Sequence, residues 1–345
     1  MLRLRGILRE RNAVESAALH NDQSDAAWYT MYRSHNTPSF LTTVSLPPDD
    51  FDDLLQVFDQ EYTVLSGPGR RGRPPRIQHK HAVLAMTLHF YTAAVEHKTL
   101  QELFGVSPST FARVLSNAER ALGRSLNRIA DAAVRWPTTR QQQHWATLTN
   151  AKEPLVEGVF AFVDGENYRV QSPSNIDLQN AQFNGRVASF RLRNGLPVLG
   201  VDGTIIWARH NCPGSWNDGE VSRQLQARLA DGRYVGVEMK VASDSAFPVA
   251  GPCAGRIITP LKQGDLERQP PANRLALQTM SDCITSLRQA AEWGMGATGK
   301  VYRQLMLPLP YNPVLRGQRL SNMFRLYNFR VRRTGLSQIK NVFGA

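Results

Sequence analysis

Three carboxylates stand in settings that could carry chemistry. Asp164 follows the apolar run 159–163, Asp244 closes the apolar run 234–241, and Glu292 lies in the helical pattern LRQAAE (287–292). An acid at the tip of a buried strand has two readings. It is a turn residue, because Asp bonds its own backbone at chain reversals, or it is a site carboxylate, because α/β sheets bind ligands at their strand ends. Leu287, Ala291 and Met295 would pack a core face and leave Glu292 beside the sheet. Three acids that converge repel one another. Two divalent cations roughly 4 Å apart would resolve the repulsion and activate both the attacking and the leaving oxygen of a phosphodiester. Mg²⁺ or Mn²⁺ suits such a site, since Mg²⁺ takes carboxylates, water and substrate phosphate rather than an all-protein cage. The chain holds 29 acids, so spacing does not single out this triad; the neighbourhoods do.

The elements that must position these acids are legible as an alternating pattern. VFAFVDGENYRV (159–170) is strand-like, and SFRLRNGLPVLGVDGTIIWARH (189–210) reads as two strands around Val201-Asp202-Gly203. Residues 217–232 are helical with Asn217 as a cap. YVGVEMKVASD (234–244) is a further strand. Residues 279–305 form a late helix whose middle is weakened by Gly294, Gly296 and Gly299. Strands, helix, strand and late helix describe an α/β domain over 158–310. A polar connector, 136–157, precedes it, and a basic segment, 311–345, follows it.

The N-terminal part reads as all-α. Residues 1–65 form a helical region in which Phe51, Leu54, Leu55 and Phe58 recur at helical spacing. Residues 66–77 are a Gly/Pro/Arg arm that no regular element crosses. The arm is either a plain basic linker or an AT-hook-like segment that lays Arg70, Arg71, Arg73 and Arg76 into a narrow minor groove. Within 78–135, a helix over 78–96 is followed by HKTLQELFGVSPSTFARVLSNAERALGRSL (97–126). Leu100, Leu103 and Phe104 share one face, Gly105 permits a tight turn, and Ser107-Pro108 opens a second helix with Phe111, Val114, Leu115, Ala118 and Leu122 as its stripe. That is the pattern of a helix-turn-helix, or of an ordinary helical hairpin. In the first case Ser109, Thr110 and Arg113 face the DNA groove.

Composition narrows the class. The chain has 345 residues, 42% hydrophobic content and a formal charge of +12, as expected of a folded basic protein. Residues 66–80 carry five Arg/Lys and no acid, and Trp293–Ala345 carries nine and again no acid. Two acid-free basic segments favour a polyanion, most often nucleic acid. No run of 18 apolar residues exists, so no membrane span is expected. The N-terminus lacks an apolar signal core. Three scattered cysteines fit neither a disulfide framework nor a zinc cluster, which suggests a reducing compartment.

Four motifs in order, FVDGENY (162–168), NCPGSWND (211–218), ASDSAFP (242–248) and LRQAAEWGMG (287–296), resemble a DDE-type transposase of the PIF/Harbinger superfamily. LFGVSPSTFARVL, Trp136-Pro137 and the ending LPLPYNPVLRGQRLSNMFRLYNFRVRRTG (307–335) resemble the same family. The resemblance implies an RNase H-like catalytic domain, a mixed sheet with flanking helices, whose catalytic and metal-binding acids fall on Asp164, Asp244 and Glu292. It also implies that Ser243, Ser245 and Asp218 support those acids. Arg288 and Lys300 would meet phosphates, or else form a solvated helix face. Two departures touch substrate positioning. Asn217 follows the PGSW tetrad where the family has His, and Arg186 follows Phe183-Asn184-Gly185 in place of the usual Trp.

The sequence thus leads to a metal-dependent DNA transposase or endonuclease. It would act on double-stranded DNA at transposon ends and target, in the nucleus, as a homo-oligomer, with a Myb-like DNA-binding partner protein in some family members. The alternative is a catalytically silent DNA-binding protein derived from a transposase. A sugar hydrolase needs only an acid pair and leaves the basic segments unexplained.

Overall fold

The computed structural model describes residues 19, 23–64, 77–172, 176–177, 180, 183–184, 189–194, 197–247, 249 and 251–345. The chain divides into two compact units, Met1–Arg128 and Ile129–Ala345.

Among its described residues the first unit is helical: α1 (Ala27–Ser34), α2 (Thr37–Val44), α3 (Pro48–Glu61), α4 (Lys80–Thr92), α5 (His97–Phe104) and α6 (Pro108–Arg128). Pro48, Asp49 and Asp50 open α3, where a helix tolerates proline and favours negative charge. Trp28, Phe40 and Phe51 meet with ring centroids 5.6 Å apart and form the aromatic centre. The helix expected over 78–96 is shorter, because α4 ends at Thr92. Gly105 adopts φ 63° between α5 and α6, a conformation glycine takes without a Cβ penalty. The α6 stripe is seated by Phe111, Leu115, Ala118 and Leu122, all buried. Leu103 and Val114 stay half-exposed, and Gln101 takes the buried place on α5.

The second unit is built on a five-stranded mixed sheet ordered β6-β5-β1-β7-β8. Its strands are β1 (Val159–Val163), β5 (Pro197–Gly200), β6 (Ile205–Ala208), β7 (Lys240–Ala242) and β8 (Ile257–Ile258). A separate three-stranded sheet contains β2 (Glu166–Arg169), β4 (Ser189–Asn194) and β3 (Phe183–Asn184). β1 is buried along its whole length, as a central strand covered on both faces should be. β5 and β6 form the hairpin expected around Asp202, whose carboxylate accepts from Thr204 N and Oγ1 at 3.0 and 2.8 Å. The 189–210 stretch holds three strands rather than two, since β4 belongs to the other sheet.

Three further expectations are corrected. The strand read over 234–244 pairs only at Lys240–Ala242, because turn bonds from Tyr234 N and Val235 N to Asp231 O, and from Met239 N to Gly236 O, fold the chain first. The polar stretch read as a connector contains helix α7 (Thr139–Lys152), opened by a capping box between Thr138 and Gln141. Its Thr149 hydroxyl donates to Val159 O at 2.5 Å, which ties it to β1. The late helix α9 runs unbroken over Pro271–Val301, through all three glycines. At Gly294 a Cβ would lie 2.3 Å from Leu199 Cδ1, so this glycine serves close approach to β5. The basic ending forms α10 (Pro313–Thr334) and α11 (Gln338–Phe343). Asn328 on α10 accepts from Ile205 N and donates to Ile205 O, each at 2.8 Å, and the Phe343 ring lies 5.2 Å from that of Phe162. Helix α8 (Asp218–Ala230) begins as expected, with Asn217 accepting from Glu220 N at 2.9 Å.

Candidate active site

β1 and β7 run parallel, with Phe162 opposite Ala242. Continuing that register by two residues puts Asp164 beside Asp244 at the same sheet edge, because side chains two apart share a face. α9 packs against β1, β5 and β7 and delivers Glu292 from its flank. Asp164 feels the negative charges of both Asp244 and Glu292, so the three carboxylates meet electrostatically. Arg288, one turn before Glu292, lies 2.9 Å from the Glu292 carboxylate and 3.9 Å from that of Asp164.

The site's electrostatics favour a proton or a cation. Burial, reinforced by Asp244 and Glu292, pushes the Asp164 carboxyl up to about 6, while the Gly165 N–H and Arg288 oppose the rise. The Gly165 bond measures 2.6 Å. Asp244 is also a turn former, since its Oδ1 accepts from Ala246 N at 3.0 Å. Both readings of that aspartate therefore hold at once: its turn aims the carboxylate. Ser243 is fully buried, and its hydroxyl has no hydrogen-bond partner among the described residues. Ser245 is half-buried beside it.

A fourth acid joins the group. Glu166 opens β2 and accepts from the Tyr168 hydroxyl at 2.5 Å. Burial and the neighbouring Asp164 push it up to about 7, against the Tyr168 bond. Sequence reading missed it. The signal was the alternation along β2, which puts Glu166 and Tyr168 on one face, two residues after the strand-tip aspartate.

Lys300 is exposed near the end of α9. Asp218 is the first residue of α8. In the first unit Ser109 and Arg113 are exposed on the opening turns of α6, while Thr110 is half-buried and accepts from Ser107 Oγ at 3.1 Å. Arg70, Arg71, Arg73, Arg76, Gly185 and Arg186 lie outside the described residues.

Residues 163–328 match a family model described as DDE superfamily endonuclease. The match begins one residue before Asp164, spans Asp244 and Glu292, and ends within α10. It supports a DDE transposase-like nuclease, and with it DNA binding and use of a divalent metal. Comparison with curated proteins found no match, and comparison with solved structures found none either. Among the described residues no helix is long and apolar enough to cross a membrane.

The donor set fits a hard cation in chemistry: carboxylate oxygens in excess and an unpartnered buried hydroxyl. No three His, Cys, Asp or Glu side chains among the described residues stand close enough to cage one ion. The fit is therefore to an ion completed by water and phosphate oxygens.

Proposed function

We propose that the chain is a metal-dependent DNA transposase or endonuclease of the PIF/Harbinger type, with an RNase H-like catalytic fold. The observation that carries this reading is the convergence of Asp164, Asp244 and Glu292 at one sheet edge, inside the matched segment. These three acids would supply carboxylate oxygens to Mg²⁺ or Mn²⁺, with water and substrate phosphate completing the coordination. When bound, divalent ions supply water activation and stabilise the leaving oxygen of a phosphodiester. Ser243 and Ser245 flank Asp244, and the buried Ser243 hydroxyl, without a hydrogen-bond partner among the described residues, would be available to the site. Arg288 pairs with Asp164 and Glu292 at the carboxylate edge, where its guanidinium would also be placed to meet a DNA phosphate. Water breaks one P–O bond, and the released 3′-hydroxyl then attacks a phosphorus of target DNA, expelling a second 3′-oxygen. Helices α5 and α6 act as the helix-turn-helix, with Ser109, Thr110 and Arg113 at DNA and the 66–77 arm alongside. Work on two transposon ends suits a homo-oligomer, and DNA as substrate suits the nucleus.

The test is nicking of supercoiled plasmid with Mg²⁺ or Mn²⁺. Asp164→Asn, Asp244→Asn and Glu292→Gln should each lower nicking at least about a hundredfold, the scale of losing a metal-ligand or charge-stabilising group, while DNA affinity stays within about twofold. Undiminished nicking by Asp244→Asn would sink the assignment. A silent DNA-binding descendant is the second reading, favoured by the Arg288 ion pairs that close the carboxylates on themselves. Calorimetric titration of Mn²⁺ into the full chain separates the two, because a silent descendant shows no Asp244-dependent binding.

A further inference from the structure

A second cleft, of about 320 Å³, opens beside the edge strand β6. Trp136, Trp207, His210, Arg228, Ser321 and Arg325 contribute to its walls, and no carboxylate does. Arg325 has neither an ion-pair nor a hydrogen-bond partner among the described residues, and burial lowers its pKa. Arg228 stacks over Trp136 and Tyr234, 5.4 and 4.6 Å from their ring centres, and its guanidinium has no acidic partner among the described residues. His210 Nδ1 is buried and has no hydrogen-bond partner among the described residues, with the ring edge-on to Phe324 at 5.9 Å. Two unneutralised guanidiniums and an unsatisfied imidazole nitrogen in one cleft are the complement of an oxyanion.

Position in the sheet narrows the anion. β6 is antiparallel to β5, and β5 to β1, so β6 and β1 point the same way. Ala208 pairs with Pro197, one residue beyond the Val198–Val163 pair. The end of β6 is therefore level with Asp164, two strands and about 10 Å away. Trp136 is committed, its Nε1 donating to Tyr234 O at 2.9 Å. Trp207 has no ring or hydrogen-bond partner among the described residues, and it is half-exposed. A free indole beside a cationic cleft is the pairing that binds single-stranded nucleic acid, base on ring and phosphate on arginine. The cleft is too small for a duplex and matches one nucleotide.

We propose that this cleft is a nucleotide subsite: Arg325 and Arg228 take one backbone phosphate of a DNA single strand, its base lies against Trp207, and the strand runs on to the carboxylate edge. The subsite deepens the nuclease reading and rests on it for the choice of DNA.

The experiment uses the full chain in EDTA and fluorescein-labelled octathymidylate, read by anisotropy and by tryptophan quenching. Wild type should bind, and Arg325→Ala should weaken binding about tenfold. Ser321→Asp, which sets a negative charge in the cleft without removing a buried group, should do the same. Trp207→Phe should abolish most of the quenching. Thymidine monophosphate should compete at lower concentration than inorganic phosphate. Equal competition by inorganic phosphate would mean an anion site without a strand and would overturn the proposal. So would wild-type affinity in both Arg325→Ala and Ser321→Asp. If Arg325→Ala unfolds, Ser321→Asp decides. Plasmid nicking separates the two readings. A chain that never nicks yet loses octathymidylate on Arg325→Ala keeps the subsite and loses the nuclease. A chain that nicks, with all cleft variants binding normally, does the reverse.

Discussion

The two units treat their acids in opposite ways. In the helical unit Glu61, Asp59 and Glu96 are each answered by a nearby Arg or Lys. Glu61 accepts from Arg124 and Arg128, both at 2.9 Å, and these bonds hold its carboxyl below the usual range. Asp59 pairs with Lys80 at 3.0 Å. In the second unit, Asp164, Glu166, Asp244 and Glu292 share a neighbourhood in which Arg288 is the cation that the ion pairs reach. Folding completes the first arrangement by itself. The second is left short of positive charge, which favours a proton or a cation there. Strain of this kind at functional sites is a common cost to stability.

The comparison breaks most visibly if the carboxylate edge can be lost without unfolding the helical unit, which is why the triad variants head the order of effect. Next comes Gly158→Ala. Gly158 has φ +79°, and a Cβ there would lie 2.1 Å from the Glu238 carbonyl oxygen. Its own carbonyl accepts from Lys240 N at 2.7 Å, which starts the β1–β7 pairing. The substitution should cost about 3 kcal/mol, seen as a drop in the calorimetric transition of the second unit with the first unchanged.

A pH series sharpens the contrast, because the units titrate in opposite senses. Asp164 rises from 3.8 to about 6. Between those values the folded state holds a proton that the unfolded chain has lost, so stability is present below pH 4 and falls as pH rises through 6. Asp164 is 17% exposed, so its full shift corresponds to up to about 3 kcal/mol at neutral pH. Asp164→Asn should recover part of this as a Tm several degrees higher at pH 7, and Mg²⁺ should raise the wild-type Tm and not that of the variant. His81 does the converse. It stacks on Tyr32 at 4.1 Å and accepts at Nδ1 from Trp28 Nε1, and burial, helped by His79, pushes it down to about 4. Between about 6.5 and 4 the unfolded chain takes a proton that the folded state does not, so the helical unit loses stability as pH falls. His81→Phe should flatten that acid limb by about 1–2 kcal/mol, and an unchanged limb would remove His81 as its cause. The smallest effect belongs to Arg113→Ala: a several-fold loss of duplex affinity on all sequences, with the salt slope reduced by about one.

How far the sequence revealed this depended on how local each signal was. β1, the Asn217 cap and the Gly105 turn rest on neighbouring residues and were legible. Helix α7 was not, because its inward side includes Gln142 and Thr149, polar groups satisfied by distant carbonyls of Tyr234 and Val159. The acid-free basic ending is partly committed inside the fold for a related reason. Buried Arg316 donates to Asn211, Pro310 and Tyr311, and burial pushes it down to about 10. Arg332 donates to Asp131 O and Ala133 O. Such charges staple loops, and a count of residues cannot tell them from charges that meet DNA. The triad was found from strand tips and one helix face. Arg288 and Glu166 needed the fold, since their roles arise only once the strands are paired.

The parallel pairing of Phe162 with Ala242 has a consequence for insertions and deletions. Side chains alternate across a strand, so losing one residue from the run 240–244 does not nudge Asp244 along the sheet by one step. It turns the carboxylate to the opposite face. Small insertions should be absorbed in the exposed turn around Gly251 and Gly255, where a side chain would meet open space, whereas a single-codon change a few residues earlier should silence the site outright.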